Sequence, residues 1–89
     1  MITTRDLANK LIDYIYNKIS LRELVGWAER AFMEEEFEEE HFDTIREILA
    51  YIGLSDVAAF GLTWEDCKRF LERLGYGINI EVYEKSSNK

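Results

Sequence analysis

The stretch MEEEFEEEHF, residues 33–42, decides whether this chain builds one long helix or two in its middle. An apolar stripe of helical spacing runs toward it through Leu21, Leu24, Val25, Ala28 and Phe32. The stripe would continue at positions 35 and 36, and both are Glu. A second stripe begins only at Phe42 and passes through Ile45, Ile48, Leu49 and Ile52. A single helix over 21–52 would carry Glu35 and Glu39 on its buried seam, where an ionised carboxylate is costly. The pattern therefore predicts a turn near Glu35–Glu38 with Phe37 folded back as an anchor. Helices at about 21–34 and 39–52 flank it.

Outward from that turn, one helix-start device occurs three times: ITTRDL from Ile2, ISLREL from Ile19 and LTWEDC from Leu62. Each is an apolar residue, a hydroxyl residue, two spacers, an acid and another apolar residue. The hydroxyl of Thr3, Ser20 or Thr63 can accept from an orphan amide of the first turn. The carboxylate of Asp6, Glu23 or Asp66 can reach back to the cap's own amide. The apolar pairs Ile2 with Leu7, Ile19 with Leu24 and Leu62 with Cys67 are spaced to form the hydrophobic staple. Helix ends are expected at Gly53 and Gly75, since glycine takes the left-handed conformation that closes a helix. Leu54 and Tyr76 then fall where they can touch Leu49 and Leu71.

These marks add helices at about 4–18, with Leu7, Leu11, Ile12, Ile15 and Ile19, and at about 64–74, with Cys67, Phe70, Leu71 and Leu74. SDVAAFG, 55–61, reads as a short helical turn capped by Ser55 and ended by Gly61, or as a short strand. In residues 78–83, Ile78, Ile80 and Val82 alternate with Asn79, Glu81 and Tyr83, the period of a half-buried strand. KSSNK, 85–89, is expected to be disordered. The expected fold is mainly α: a small four-helix domain with a short extra turn and a C-terminal β-strand, one domain over residues 1–84.

The chain of 89 residues has 47% apolar residues, enough for a modest core, no proline and one cysteine, Cys67. A disulfide framework or a cysteine zinc site is excluded, and a reducing compartment is expected. The opening MITTRDLANK is too polar for a secretory signal, and no apolar run approaches the ~20 residues that span a bilayer. A cytoplasmic, non-membrane protein is expected. Formal charge is −7, and residues 31–45 hold seven acids with no Lys or Arg, leaving 11 acids against 11 bases elsewhere. The excess sits in one short segment, which argues against nucleic-acid binding.

Three chemistries are candidates for that segment. Glu38 and His41 stand at i and i+3 on one helical face, the Glu-x-x-His element of carboxylate-bridged di-metal bundles. With a single histidine, only a symmetric dimer supplies the second element, so a metal-binding helical dimer is the alternative reading. Acids in the first turn of a helix at 39–52 also meet its positive dipole end, with no function beyond that. The leading functional expectation is that Glu34, Glu35, Glu36, Glu39 and Glu40 steer a basic protein partner.

Trp27, on the rim of its stripe, and Tyr51, opposite its stripe, are candidate interface anchors. The strand residues Ile78, Ile80 and Val82 need a pairing partner. That partner is a segment such as 56–62 or 1–3, a second copy in a homodimer, or another protein's strand. Cys67 falls on an apolar stripe near Glu65 and Asp66, an environment for a buried structural thiol. Gly75-x-Gly77 follows a helix and is turn punctuation rather than a phosphate loop. No nucleophilic triad can be assembled, and no cofactor is expected. The function expected is therefore a small acidic, non-enzymatic protein-interaction module. Its size and acidity suit an adaptor, an inhibitor, or an immunity- or antitoxin-like protein that neutralises a basic protein such as a nuclease.

Overall fold

A computed structural model describes residues 1–55 and 62–79. Four α-helices lie within them: α1 (Thr4–Ile15), α2 (Leu21–Glu34), α3 (Phe42–Gly53) and α4 (Trp64–Arg73), with a 3₁₀ turn, Glu39–His41, leading into α3. The chain is mainly helical, as expected. All three predicted capping boxes form, with both reciprocal bonds in each. Asp6 N donates to Thr3 Oγ1 at 3.1 Å and Thr3 N to Asp6 Oδ2 at 3.0 Å. Ser20 with Glu23 and Thr63 with Asp66 repeat the pattern at 2.9–3.1 Å. The short reach of aspartate is no obstacle to the box.

The ends depart from expectation at two places. α1 stops at Ile15 rather than near residue 18, because Asn17 takes the left-handed conformation at φ 62°. Asn17 N donates to Tyr14 O and Lys18 N to Asp13 O, at 3.0 and 2.8 Å, which is the Schellman closure built on asparagine. α4 closes in the same way on Gly75, at φ 96°, with Gly75 N on Glu72 O and Tyr76 N on Leu71 O. Gly53 does not act as such a cap. It stays inside α3 outside the left-handed region, and Ser55 closes the helix, its N donating to Ile52 O and its Oγ to Tyr51 O. Leu54 is left exposed.

The two glycines therefore respond oppositely to alanine. A Cβ on Gly53 meets only Glu29 Cγ, at an ordinary 3.6 Å, so Gly53→Ala raises stability by about 0.5–1 kcal/mol. Gly75→Ala lowers it by about 1 kcal/mol or more, because its left-handed backbone disfavours a Cβ. Paired thermal melts of the two variants check both signs.

α2 and α3 form the most extensive helix pair, and α1 lies against both α2 and α4. The core is Leu7, Ala8 and Leu11 of α1, Leu24, Val25, Ala28 and Ala31 of α2, Ile45, Ile48, Leu49 and Ile52 of α3, and Cys67, Phe70 and Leu71 of α4. Ile2, Leu62 and Leu74 seal it from flanking positions. Three expected stripe residues, Ile12, Phe32 and Phe42, are exposed instead. Phe32 and Phe42 sit at the end of the α2–α3 pair, beyond its buried seam. They meet the Phe37 ring at tilted angles, with centroids 6.4 and 5.4 Å from it.

The turn between α2 and α3 falls where the glutamates predicted, and Phe37 packs back against the core. Its backbone makes a contact that the sequence reading did not foresee. Ile2 forms an isolated parallel β-bridge with Phe37. Ile2 N donates to Glu36 O at 2.7 Å and Glu38 N to Ile2 O at 2.8 Å. Segment 1–3, considered above as a partner for residues 78–83, pairs with 36–38.

The C-terminal strand receives no support. Ile78 and Asn79 have irregular backbone, and no strand longer than that single bridge occurs among the described residues. Residues 80–83, the rest of the expected turn at 56–61, and the tail 85–89 lie outside the described residues. No described helix is long and apolar enough to cross a membrane.

Candidate functional site

The acidic segment begins in the last turn of α2 and ends in the 3₁₀ turn before α3. Glu34, Glu35, Glu36, Glu39 and Glu40 all face solvent. Among the described residues no Lys or Arg side chain pairs with any of them; Glu35 lies 3.4 Å from the amino group of Met1. Because α3 starts at Phe42, only Asp43 occupies its first turn. The reading of Glu39 and Glu40 as first-turn acids of that helix is corrected accordingly: they belong to the 3₁₀ turn that precedes it.

Glu38 is set apart from its neighbours. Its Oε1 accepts from Thr4 N at 3.1 Å, and its Oε2 lies 3.3 Å from His41 Nδ1. Thr4 is the first residue of α1, so a carboxylate from the far side of the chain meets the positive end of that helix and one of its orphan amides. Glu38, Glu40 and His41 also bring one ligand atom each within 4.8 Å of one another. This trio can in principle hold a cation. Both oxygens of Glu38 already have protein partners, and Glu40 is exposed.

The candidate anchors take different positions. Trp27 is half-buried, with Lys10 Nζ 5.6 Å from its ring centroid, and shares a shallow basic pocket with Lys10, Arg22 and Arg30. Tyr51 turns its polar handle inward. Its OH donates to Asp66 Oδ2 at 3.1 Å and its ring meets Phe70 edge-on at 5.1 Å. Ile78 is half-buried and lines an apolar groove with Ile12, Tyr16, Trp64 and Tyr76. Ile80 and Val82 lie outside the described residues.

Asp66 is the one buried charged residue among those described. It accepts from Thr63 N and Tyr51 OH on Oδ2, and from Arg69 Nη2 on Oδ1 at 3.0 Å. Burial works to raise its pKa, but the bonds from Thr63, Arg69 and Tyr51 outweigh it and hold the carboxyl below its ordinary value. The same contact, after burial, pushes the Tyr51 phenol up. Beside it, burial and then the Asp66 charge push the Cys67 thiol up to about 11. With its side chain in the core, Cys67 is a structural thiol and not a nucleophile.

The sequence reading missed the surface next to the glutamates. Met33 is 83% exposed and Leu54 61% exposed, with Phe32 half open between them. These three line a groove between α2 and α3 together with Glu29, Leu49, Ala50 and Gly53. Phe32 also lines the adjoining hollow with Glu35, Glu36, Phe37, Phe42 and Arg46. The signal was present: Phe32 and Met33 are adjacent, and a helix with one buried stripe cannot bury both. Known protein families, characterised proteins and solved structures offer no match to the chain.

Proposed function

We propose that this chain is a small, non-enzymatic protein-interaction module whose acidic segment docks a basic protein. The observation that carries the reading is adjacency. Two of the five exposed glutamates, Glu35 and Glu36, line a hollow with Phe32 and Phe42 next to the groove of Met33 and Leu54, and among the described residues no Lys or Arg side chain pairs with any of the five. Unpaired surface charge steers encounter, and exposed apolar side chains supply the short-range contact that holds it. Trp27 and Tyr51 contribute less than their residue types suggest, because a lysine covers the first and Asp66 engages the second.

The test is capture from host extract at low salt on immobilised protein, comparing the native chain with the triple variant Glu35→Lys, Glu36→Lys, Glu39→Lys. The native chain is expected to retain basic proteins that salt releases. The variant slows their association by about tenfold and flattens its salt dependence. Retention of the same proteins by both forms, with the same salt profile, overturns the reading.

One observation favours the alternative of a metal-binding helical dimer, namely the proximity of Glu38, Glu40 and His41. Metal analysis of untagged protein, repeated on His41→Ala, decides it. Stoichiometric metal that is lost with the histidine, in protein of twice the chain mass, supports the dimer, and metal-free protein ends it.

A further inference from the structure

We propose that the groove between α2 and α3 receives a basic amphipathic helix, an inference that deepens the interaction-module reading and rests on it. The groove has the parts such a ligand needs. Phe32, Met33, Leu49 and Leu54 give it an apolar lining, and Ala50 and Gly53 add little side-chain bulk. An amphipathic helix lays its apolar face into a groove of this kind through anchors at i, i+3 or i+4, and i+7. Leu54 and Met33 are also the most exposed large apolar side chains of α2, α3 and their ends, and neither serves the core.

Charge selects the occupant. Glu29 stands on the groove itself, and Glu35 and Glu36 stand on the hollow that shares Phe32 with it. The cation on this surface is Arg46, whose guanidinium lies 5.7 Å from the Phe32 ring centroid. A second copy of the chain, docked here about a two-fold axis, would bring two sets of these carboxylates into one interface. A helix with lysines or arginines flanking its apolar face meets these carboxylates with opposite sign. The carboxylates thus disfavour self-pairing and attract a basic partner by the same charges.

The experiment uses three fluorescent peptides of about 18 residues, five helical turns, titrated into the intact chain at low salt and followed by anisotropy. One carries leucines on a single face and lysines elsewhere. The second has the same composition, scrambled so that no apolar face exists. The third replaces the lysines of the first by glutamate. The basic amphipathic peptide is expected to bind at least about tenfold more tightly than the scramble, and the acidic peptide not at all. The double variant Met33→Ala, Leu54→Ala is expected to erase that tenfold preference while leaving the scramble's affinity unchanged. Both side chains are exposed, and unchanged thermal melts confirm the fold.

Equal affinity for the two basic peptides overturns the groove, as does a preference that survives in the double variant. Either result leaves the acidic-module reading standing if the scramble binds and Glu35→Lys, Glu36→Lys abolishes it. Tight binding of the acidic amphipathic peptide also overturns the charge argument and with it the proposed partner. Failure of both basic peptides to bind at low salt overturns the groove and the acidic-module reading together.

Discussion

Asp66→Ala is expected to cost about 2–3 kcal/mol and to lower the melting temperature by about 10–20 °C. The substitution removes several contacts at once. Half of the capping box at α4 goes, because the Thr63 amide loses its acceptor. The Tyr51 hydroxyl and the Arg69 guanidinium lose their acceptor. The tie between α3 and α4 is then left to the ring contact of Tyr51 on Phe70, the Arg73–Glu47 ion pair and the shared core. Asp66→Asn keeps the shape without the charge and is expected to cost less.

The pH dependence has a definite sign. The folded-state pKa of Asp66 lies below its ordinary value. Its stabilisation is therefore present above the ordinary carboxylate range and is lost as pH falls through the depressed folded value. The stability difference between native chain and Asp66→Asn should shrink toward acid, whatever the other carboxylates do. Tyr51 contributes in the opposite sense. Its phenol is shifted upward, so its share is full below the ordinary tyrosine pKa and lost as pH rises through the higher folded value. A difference that is flat between pH 2 and pH 6 (~2 units either side of the ordinary value) would show that Asp66 is not stabilised by its neighbours.

Ile2→Ala is expected to cost about 2–3 kcal/mol, near the low end for a buried isoleucine. Ile2 is only 7% exposed, packs beneath the first turn of α1, and carries both hydrogen bonds of the bridge to residues 36–38. Its loss loosens a closure that also places Glu38 against Thr4 N. The amide of Glu38, which donates to Ile2 O, should exchange with solvent hydrogen faster in the variant. A melt unchanged from the native chain, with unchanged exchange at Glu38, would show that the Ile2 side chain does not hold the bridge in place.

These two contacts mark where sequence reading succeeds and where it stops. The three capping boxes were legible because cap and acid lie three residues apart and need only local geometry. The turn at Glu35–Glu38 was legible because glutamates interrupt a stripe. Ile2 with Phe37, and Glu38 with Thr4, join positions more than thirty residues apart, and no local pattern announces them. Glu38 and His41 lie 3.3 Å apart, but Glu38 stands before the 3₁₀ turn and not on a helical face. The task of Glu38 was not legible, because that task depends on a helix end brought in from elsewhere. Tyr51 illustrates the same limit. A helical wheel set it opposite the α3 stripe, but the N-terminus of α4 arrives on that side and captures its hydroxyl. Asn17 is a milder case, since asparagine tolerates the left-handed region without demanding it. Phe32 and Phe42 match the stripes by spacing, but being buried also depends on what lies beyond the end of a helix pair.

The position of Cys67 also gives the protein a built-in gauge. It is the single cysteine of the chain, it is 1% exposed, and its pKa of about 11 keeps it as the unreactive thiol near neutrality. A thiol reagent can modify it only when the seam between α4 and the rest of the core parts. The labelling rate therefore counts those openings directly, in ordinary buffer, without heat or denaturant and without an engineered probe. The same reading in a crude extract would show whether a bound partner holds the core shut.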